Sequence, residues 1–194
     1  VMQTRAVEFA NKYNVPVRVL SSFKEGNGTL ISTKDENMEN ALVSGIAFQK
    51  DQVKITLHGV TDTPGIAYQI LGPLSDENIE VDVIVQNVSV NGKTDFTFTV
   101  SEEDKSNAEA VLQNLKDVTY DDLIIDSDVA KVSLVGVGMR THAGVASTAF
   151  KALSDNEINI QMISTSEIKI TIVIKEGALE SAVKALHSAF ELEK

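Results

Sequence analysis

Thr61-Asp62-Thr63-Pro64-Gly65 is the stretch whose residue types and spacing best suit ligand chemistry. The alternating apolar residues Val53, Ile55 and Leu57 run up to it as a strand, and apolar residues at helical spacing begin just after it. A strand-to-helix junction gathers unpaired backbone N–H groups at the positive end of the helix dipole, where a ligand carboxylate can dock. Gly65 would let that ligand approach closely, and Asp62 would receive an ammonium group. The competing assignment makes Asp62 a helix cap and Gly65 a packing residue. The residues alone leave both open, and capping and binding can coexist.

Asp82 and Gln86 lie four residues apart on a strand, so a regular pleat points both to one face. They either finish the pocket or decorate a solvated face. Gly136-Val137-Gly138 follows a strand, but the next glycine is Gly144, so the phosphate-cradling GxGxxG spacing fails. His58, His142 and His187 have no carboxylate or serine at motif spacing and are read as ordinary strand, loop and helix residues. Glu102-Glu103-Asp104 precedes a helix, where negative charge suits the dipole. No catalytic residue and no metal ligand is expected.

A repeat positions these residues. Offset by 79, residues 53 to 84 align without a gap on residues 132 to 163, and nine of the 32 positions are identical, among them Gly59/Gly138, Gly65/Gly144, Leu74/Leu153 and Ile84/Ile163. In the first copy a strand ends at Gly59, and Pro64 opens a helix carrying Ile66, Ala67, Ile70, Leu71 and Leu74. A strand through Val81, Val83 and Val85 turns at Asn91-Gly92 and returns through Phe96, Phe98 and Val100. A helix over 108 to 115 and a strand over 123 to 125 complete a βαββαβ unit.

The second copy gives strand 131 to 137, helix 144 to 154, strands 159 to 164 and 168 to 174, and helix 177 to 190. Its sixth strand is missing, which would leave an open edge. The apolar run over residues 41 to 48 (ALVSGIAF) has no other place and is assigned that role, so the first unit is inserted within the second. Residues 1 to 33 stand outside the repeat as a helix and two strands, and 34 to 40 read as a polar linker.

Composition narrows the function classes. Of the 194 residues, 28 are acidic and 17 basic, and the net charge of -11 repels phosphate backbones and anionic lipid. Neither nucleic acid nor membrane is expected as a partner. No apolar stretch reaches the roughly 20 residues of a membrane span, and a cytoplasmic location is expected. With no cysteine there is no disulfide, thiolate zinc site or thiol nucleophile.

VTDTPGIAYQIL (60 to 71), VDVIVQNVS (81 to 89), TDFTFTV (94 to 100), KVSLVGVGM (131 to 139) and ISTSEIKI (163 to 170) together resemble the C-terminal regulatory region of aspartate kinases, over the whole chain. The resemblance implies an α+β fold of two ferredoxin-like βαββαβ ACT domains, the first inserted within the second. ACT domain 1 would take 53 to 127, and ACT domain 2 would take 41 to 52 and 128 to 194. Residues 1 to 33 would be the tail of the kinase domain. Such a chain looks like a fragment of a longer subunit, and Met38 begins a stretch resembling the start of the family's separate small subunits.

In that family, tandem ACT domains bind lysine or threonine and restrain a separate kinase domain, which holds ATP and magnesium. By resemblance the effector sits at the first loop, on Asp62, Pro64, Gly65, Ile66 and Ala67, with Asp82 and Gln86 beside it. Thr141, His142 and Ala143 replace Asp62, Thr63 and Pro64 in the second copy, which loses the carboxylate. The second domain is therefore expected to supply a facing wall, Asn159, Ile160 and Gln161, from another subunit of a homodimer. Glu80 or Asp82 would suit the ε-ammonium of lysine, and threonine would need a small pocket with a hydroxyl partner. A phosphoryl-transfer enzyme would need the glycine-rich phosphate loop that is missing. A ligand-free dimerisation module and an ACT regulator of another amino-acid enzyme are the remaining alternatives.

Overall fold

A computed structural model describes residues 3–31, 43–87, 91–136 and 144–192. The expected linker 34–40, Met38, and the loop residues Thr141, His142 and Ala143 lie outside the described residues. The chain divides into two units, Val1–Ala41 and Leu42–Lys194.

In the N-terminal unit, helix α1 (Thr4–Lys12) precedes two short strands, β1 (Val17–Val19) and β2 (Thr29–Ile31), which pair antiparallel with Val17 opposite Ile31. Three short elements cannot cover their own apolar side chains. Phe9, Tyr13, Val15, Leu20, Phe23 and Leu30 are all exposed.

The second unit runs β3 (Gly45–Thr61), α2 (Ile66–Asp76), β4 (Asp82–Gln86), β5 (Lys93–Ser101), α3 (Lys105–Gln113), β6 (Asp122–Val135), α4 (Gly144–Asp155), β7 (Ile160–Thr165), β8 (Lys169–Lys175) and α5 (Leu179–Ala189). Its strands form one antiparallel sheet in the order β4-β5-β3-β6-β8-β7. This is two four-stranded βαββαβ sheets that share β3 and β6. The far half of β3 lies between β5 and the start of β6 in the first repeat. The near half completes the second repeat, with Gly45 opposite Val135 and Phe48 opposite Val132.

The separate strands expected over 41 to 48 and from Val53, and over 123 to 125 and from Lys131, are fused into two long ones. No glycine, proline or Asn-Gly interrupts either connection. The break is made instead by bulges between Gln49 and Gln52 and between Gln52 and Lys54, with Asp51 at φ 55. Bulges bend a strand without ending it.

Each repeat packs its helices on one face of its half-sheet. Val53, Ile55, Leu57, Phe96, Phe98 and Leu74 centre the first core, and Val132, Leu134, Ile172, Ile174, Leu153 and Leu186 the second. Val83, Val129, Met162 and Val173 form a third, small cluster away from the helices, in which the two repeats meet. Equivalent positions behave alike: Asn78 and Glu157 both have φ 58 after α2 and α4, and Ile79 and Ile158 then donate back to the carbonyls of Leu74 and Leu153.

Two local expectations change. The first strand continues past Gly59 to Thr61 through a bulge. There Gly59 has φ 66, its N–H donates to Asp95 Oδ1 at 3.0 Å, and a Cβ would stand 2.1 Å from Asp121 Oδ2. Gly59→Ala is therefore expected to lose about 1–2 kcal/mol from left-handed strain alone, read as a lower denaturant midpoint, and an unchanged midpoint would contradict it. The helix begins at Ile66 rather than at Pro64, which sits in a turn closed by the Ile66 N–H on the Thr63 carbonyl.

Candidate functional site

The loop before α2 is held at its strand end by two backbone hydrogen bonds. Thr61 N–H donates to the Thr119 carbonyl at 3.1 Å and Asp62 N–H to the Gly92 carbonyl at 2.9 Å. The second bond ties the loop to the Asn91-Gly92 turn, where both residues have positive φ as a type I′ hairpin requires. Gly65 occupies the helix N-cap position at φ 95, a left-handed conformation that disfavours a side chain, and apart from its chain neighbours no atom lies within 4 Å of where its Cβ would be. The backbone there is open to a ligand. The Asp62 side chain does not cap the helix.

Asp62, Thr63, Pro64, Gly65, Ile66, Ala67 and Gln86 line one concavity of about 450 Å³. Gln86 Nε2 points at Asp62 Oδ1 at 3.5 Å, a long contact that an incoming cation or carboxylate can replace. The chemistry offered is a positive helix end, one carboxylate and one amide that both donates and accepts, which matches the charge pattern of a zwitterion.

Asp82 does not join this group. The β4–β5 ladder breaks between Asp82 and Val85, and Val83 stands at φ 47, so the two-residue alternation that would have put Asp82 and Gln86 on one face is lost. Asp82 Oδ2 instead accepts from Lys131 Nζ at 2.7 Å. The Lys131 side chain is only 5% exposed and that of Asp82 is 52% exposed. Burial works to raise the Asp82 carboxyl pKa, but the hydrogen bond and charge of Lys131, helped by the Val83 N–H and Lys169, lower it below the ordinary aspartate value.

Within the chain the facing wall is also elsewhere. Ile160 packs against the second core. Gln161 Oε1 accepts from Lys54 Nζ, which also pairs with Asp126 at 3.3 Å. Asn159, Ile160 and Gln161 do not line the Asp62 concavity. Asp82 and Gln161 are equivalent by the offset of 79. Each accepts from a lysine of the other repeat. Sequence reasoning missed both lysines, although Lys131 had a signal: a cation leading the apolar strand KVSLV.

His58 finds a partner that sequence spacing did not reveal, with Nδ1 2.7 Å from Asp95 Oδ1, across paired strands. Lys93 and Asp121 pair beside it, around a hollow of about 300 Å³. His187 is in the last turn of α5, and His142 lies outside the described residues. Among the described residues no group of three metal-ligating side chains is clustered and no helix is long and apolar enough to cross a membrane.

Comparison with known proteins matches an ACT domain over residues 55–119 and another over residues 132–190. An aspartate kinase of Pseudomonas fluorescens (strain SBW25) is 60% identical over 195 residues, across 100% of this chain and 47% of its own length. A crystal structure of aspartokinase alpha and beta subunits shares 49% identity at a TM-score of 0.70, covering 77% of this chain and 99% of that one. The ligand-free regulatory subunit of aspartate kinase from Thermus thermophilus shares 35% identity at a TM-score of 0.73, with the same coverage. The chain spans about half the length of the curated aspartate kinases it matches.

Proposed function

This chain belongs to the aspartate kinase family as its regulatory region of two ACT domains, and from that premise we propose that it binds lysine or threonine at the Asp62 loop to exert feedback inhibition on a kinase domain. The observation that carries the proposal is the concavity in which Asp62, Gly65 and Gln86 converge on the start of α2. An amino acid's carboxylate would take the helix end and Gly65, its ammonium would take Asp62, and Gln86 would serve either. Among the described residues Asp62 is the one carboxylate lining that concavity. An α-ammonium uses it, Asp82 is already paired with Lys131 and Glu80 does not line the concavity, which favours the neutral side chain of threonine at this loop over the second cation of lysine.

Asn159, Ile160 and Gln161 would form the facing wall only from a second chain, which calls for a homodimer through ACT domains. Two features support it. Strands β4 and β7 end the sheet, and they expose Ile84 and Ile163 at equivalent positions. Edge strands with exposed apolar residues are pairing surfaces. Light scattering is expected to give about twice the 21.0 kDa chain mass. A monomer that persists at high concentration with effector present would contradict it.

Phosphoryl transfer, with its ATP and magnesium, belongs in this reading to the kinase domain of a cytoplasmic enzyme. The exposed apolar residues of the N-terminal unit suit packing on that domain. Isothermal calorimetry of the chain against threonine and against lysine tests the proposal. Saturable heat with either supports it, and no heat with both would leave a ligand-free dimerisation module.

A further inference from the structure

We infer that Lys131 is a positioning residue for the amino-acid site: by holding Asp82 across the two repeats it fixes strand β4, and with it Gln86, against the Asp62 loop. The inference rests on reading that loop as an amino-acid site.

Strand β4 is poorly anchored by its own repeat. It has five residues and ends the sheet, and only Asp82, Val85 and Gln86 are in register with β5. Val83 lies between them at φ 47, a left-handed conformation that is costly for a β-branched residue. An edge strand that carries such strain needs outside support. Two groups at the bulge provide it. The Val83 side chain, 6% exposed, packs with Val129, Met162 and Val173, three residues contributed by β6, β7 and β8. Beside it the buried Lys131 ammonium bonds the Asp82 carboxylate, while Thr99 Oγ1 donates to the Asp82 carbonyl at 3.0 Å.

The burial of Lys131 makes this grip directional. An ammonium with 5% of its side chain exposed has little water to turn to, so moving Asp82 away would strand the charge. Asp82, half exposed, could be solvated without Lys131. The lysine therefore depends on the strand more than the strand's carboxylate depends on the lysine, and the pair resists displacement of β4. Four residues along that strand, Gln86 faces Asp62. A shift of β4 would separate the two walls of the concavity. A cation from the second repeat thus sets the geometry of a pocket in the first. Lys54, with Gln161 and Asp126, makes the reciprocal grip on β7 and supplies an internal comparison.

The test uses Lys131→Met in the full chain, since methionine replaces the buried stem without the charge. Amide hydrogen exchange over residues 82–86 is expected to quicken about tenfold, the loss of one charge-assisted hydrogen bond read as local opening. Exchange in β5 and β8 should stay as in the wild type. Threonine, or lysine if that is the amino acid the wild type binds, should bind about five- to tenfold more weakly. Lys54→Met should quicken exchange at β7 and leave β4 unchanged. If Lys131→Met does not fold, Asp82→Asn is measured instead, with the same expectations at β4. Unchanged exchange at 82–86 in a folded variant would overturn the inference. So would faster exchange with unaltered amino-acid affinity. A wild type that binds neither amino acid would instead defeat the reading of the loop, and the positioning role with it.

Discussion

Asp62→Asn is expected to weaken threonine or lysine binding by about 1–3 kcal/mol, the cost of one charge-assisted hydrogen bond. Asparagine keeps the shape and the contact with Gln86 but cannot neutralise an ammonium. Fold stability should hardly change, because Gly65 occupies the N-cap position and the Asp62 side chain makes no cap hydrogen bond. The backbone bond from Asp62 N–H to the Gly92 carbonyl, which holds the loop, survives the substitution. In the full-length kinase the same change should relieve feedback inhibition and leave uninhibited turnover intact, since the proposed kinase site lies in another domain. Calorimetry on a variant of unaltered melting temperature is the check. Unchanged affinity there would remove Asp62 from the site.

Asp82→Ala has the opposite profile, a large effect on stability. It leaves the Lys131 ammonium buried without its carboxylate, which costs about 3 kcal/mol, the low end for breaking a buried ion pair because Asp82 itself is half exposed. For a chain of 194 residues that corresponds to a melting temperature lower by about 6–12 °C. The pH dependence has a definite sign. Asp82 has a folded-state pKa below its unfolded value, so its contribution is fully present above the unfolded pKa and is lost as pH falls through the folded one. The wild-type advantage over Asp82→Ala should therefore shrink as pH falls below about 4, where unfolded aspartate begins to protonate. Denaturant melts of both proteins at neutral and acid pH measure it. Equal stability at neutral pH would show that Lys131 finds water.

The repeat made most of the fold legible. Identical residues at the offset of 79 are largely those that fill cores or turn the chain, such as Leu74 with Leu153 and Ile79 with Ile158. Asn91-Gly92 announced the hairpin, and the unpaired edge of the second repeat pointed to residues 41 to 48. The fused strands were hidden because a bulge has no fixed residue signature, and nothing at Gln49 to Lys54 marks one. The loop was legible because strand, aspartate, glycine and helix are consecutive. The roles of Asp82 and Gln161 were not, since both depend on a third dimension that the sequence does not order. One break in register at Val83 reverses the face on which Asp82 falls. Its partner stands 49 positions away, as Gln161 stands 107 from Lys54.

Backbone NMR of the isotopically labelled chain during titration with threonine, and separately with lysine, locates the effector. The account predicts saturable shifts at the amides of Gly65, Ile66 and Ala67 and at the side-chain amide of Gln86, at the concentration where calorimetry shows half-saturation, with smaller changes around Gly144 to Ala149. Saturable binding that shifts the start of α4 and leaves Gly65 to Ala67 in place would contradict it.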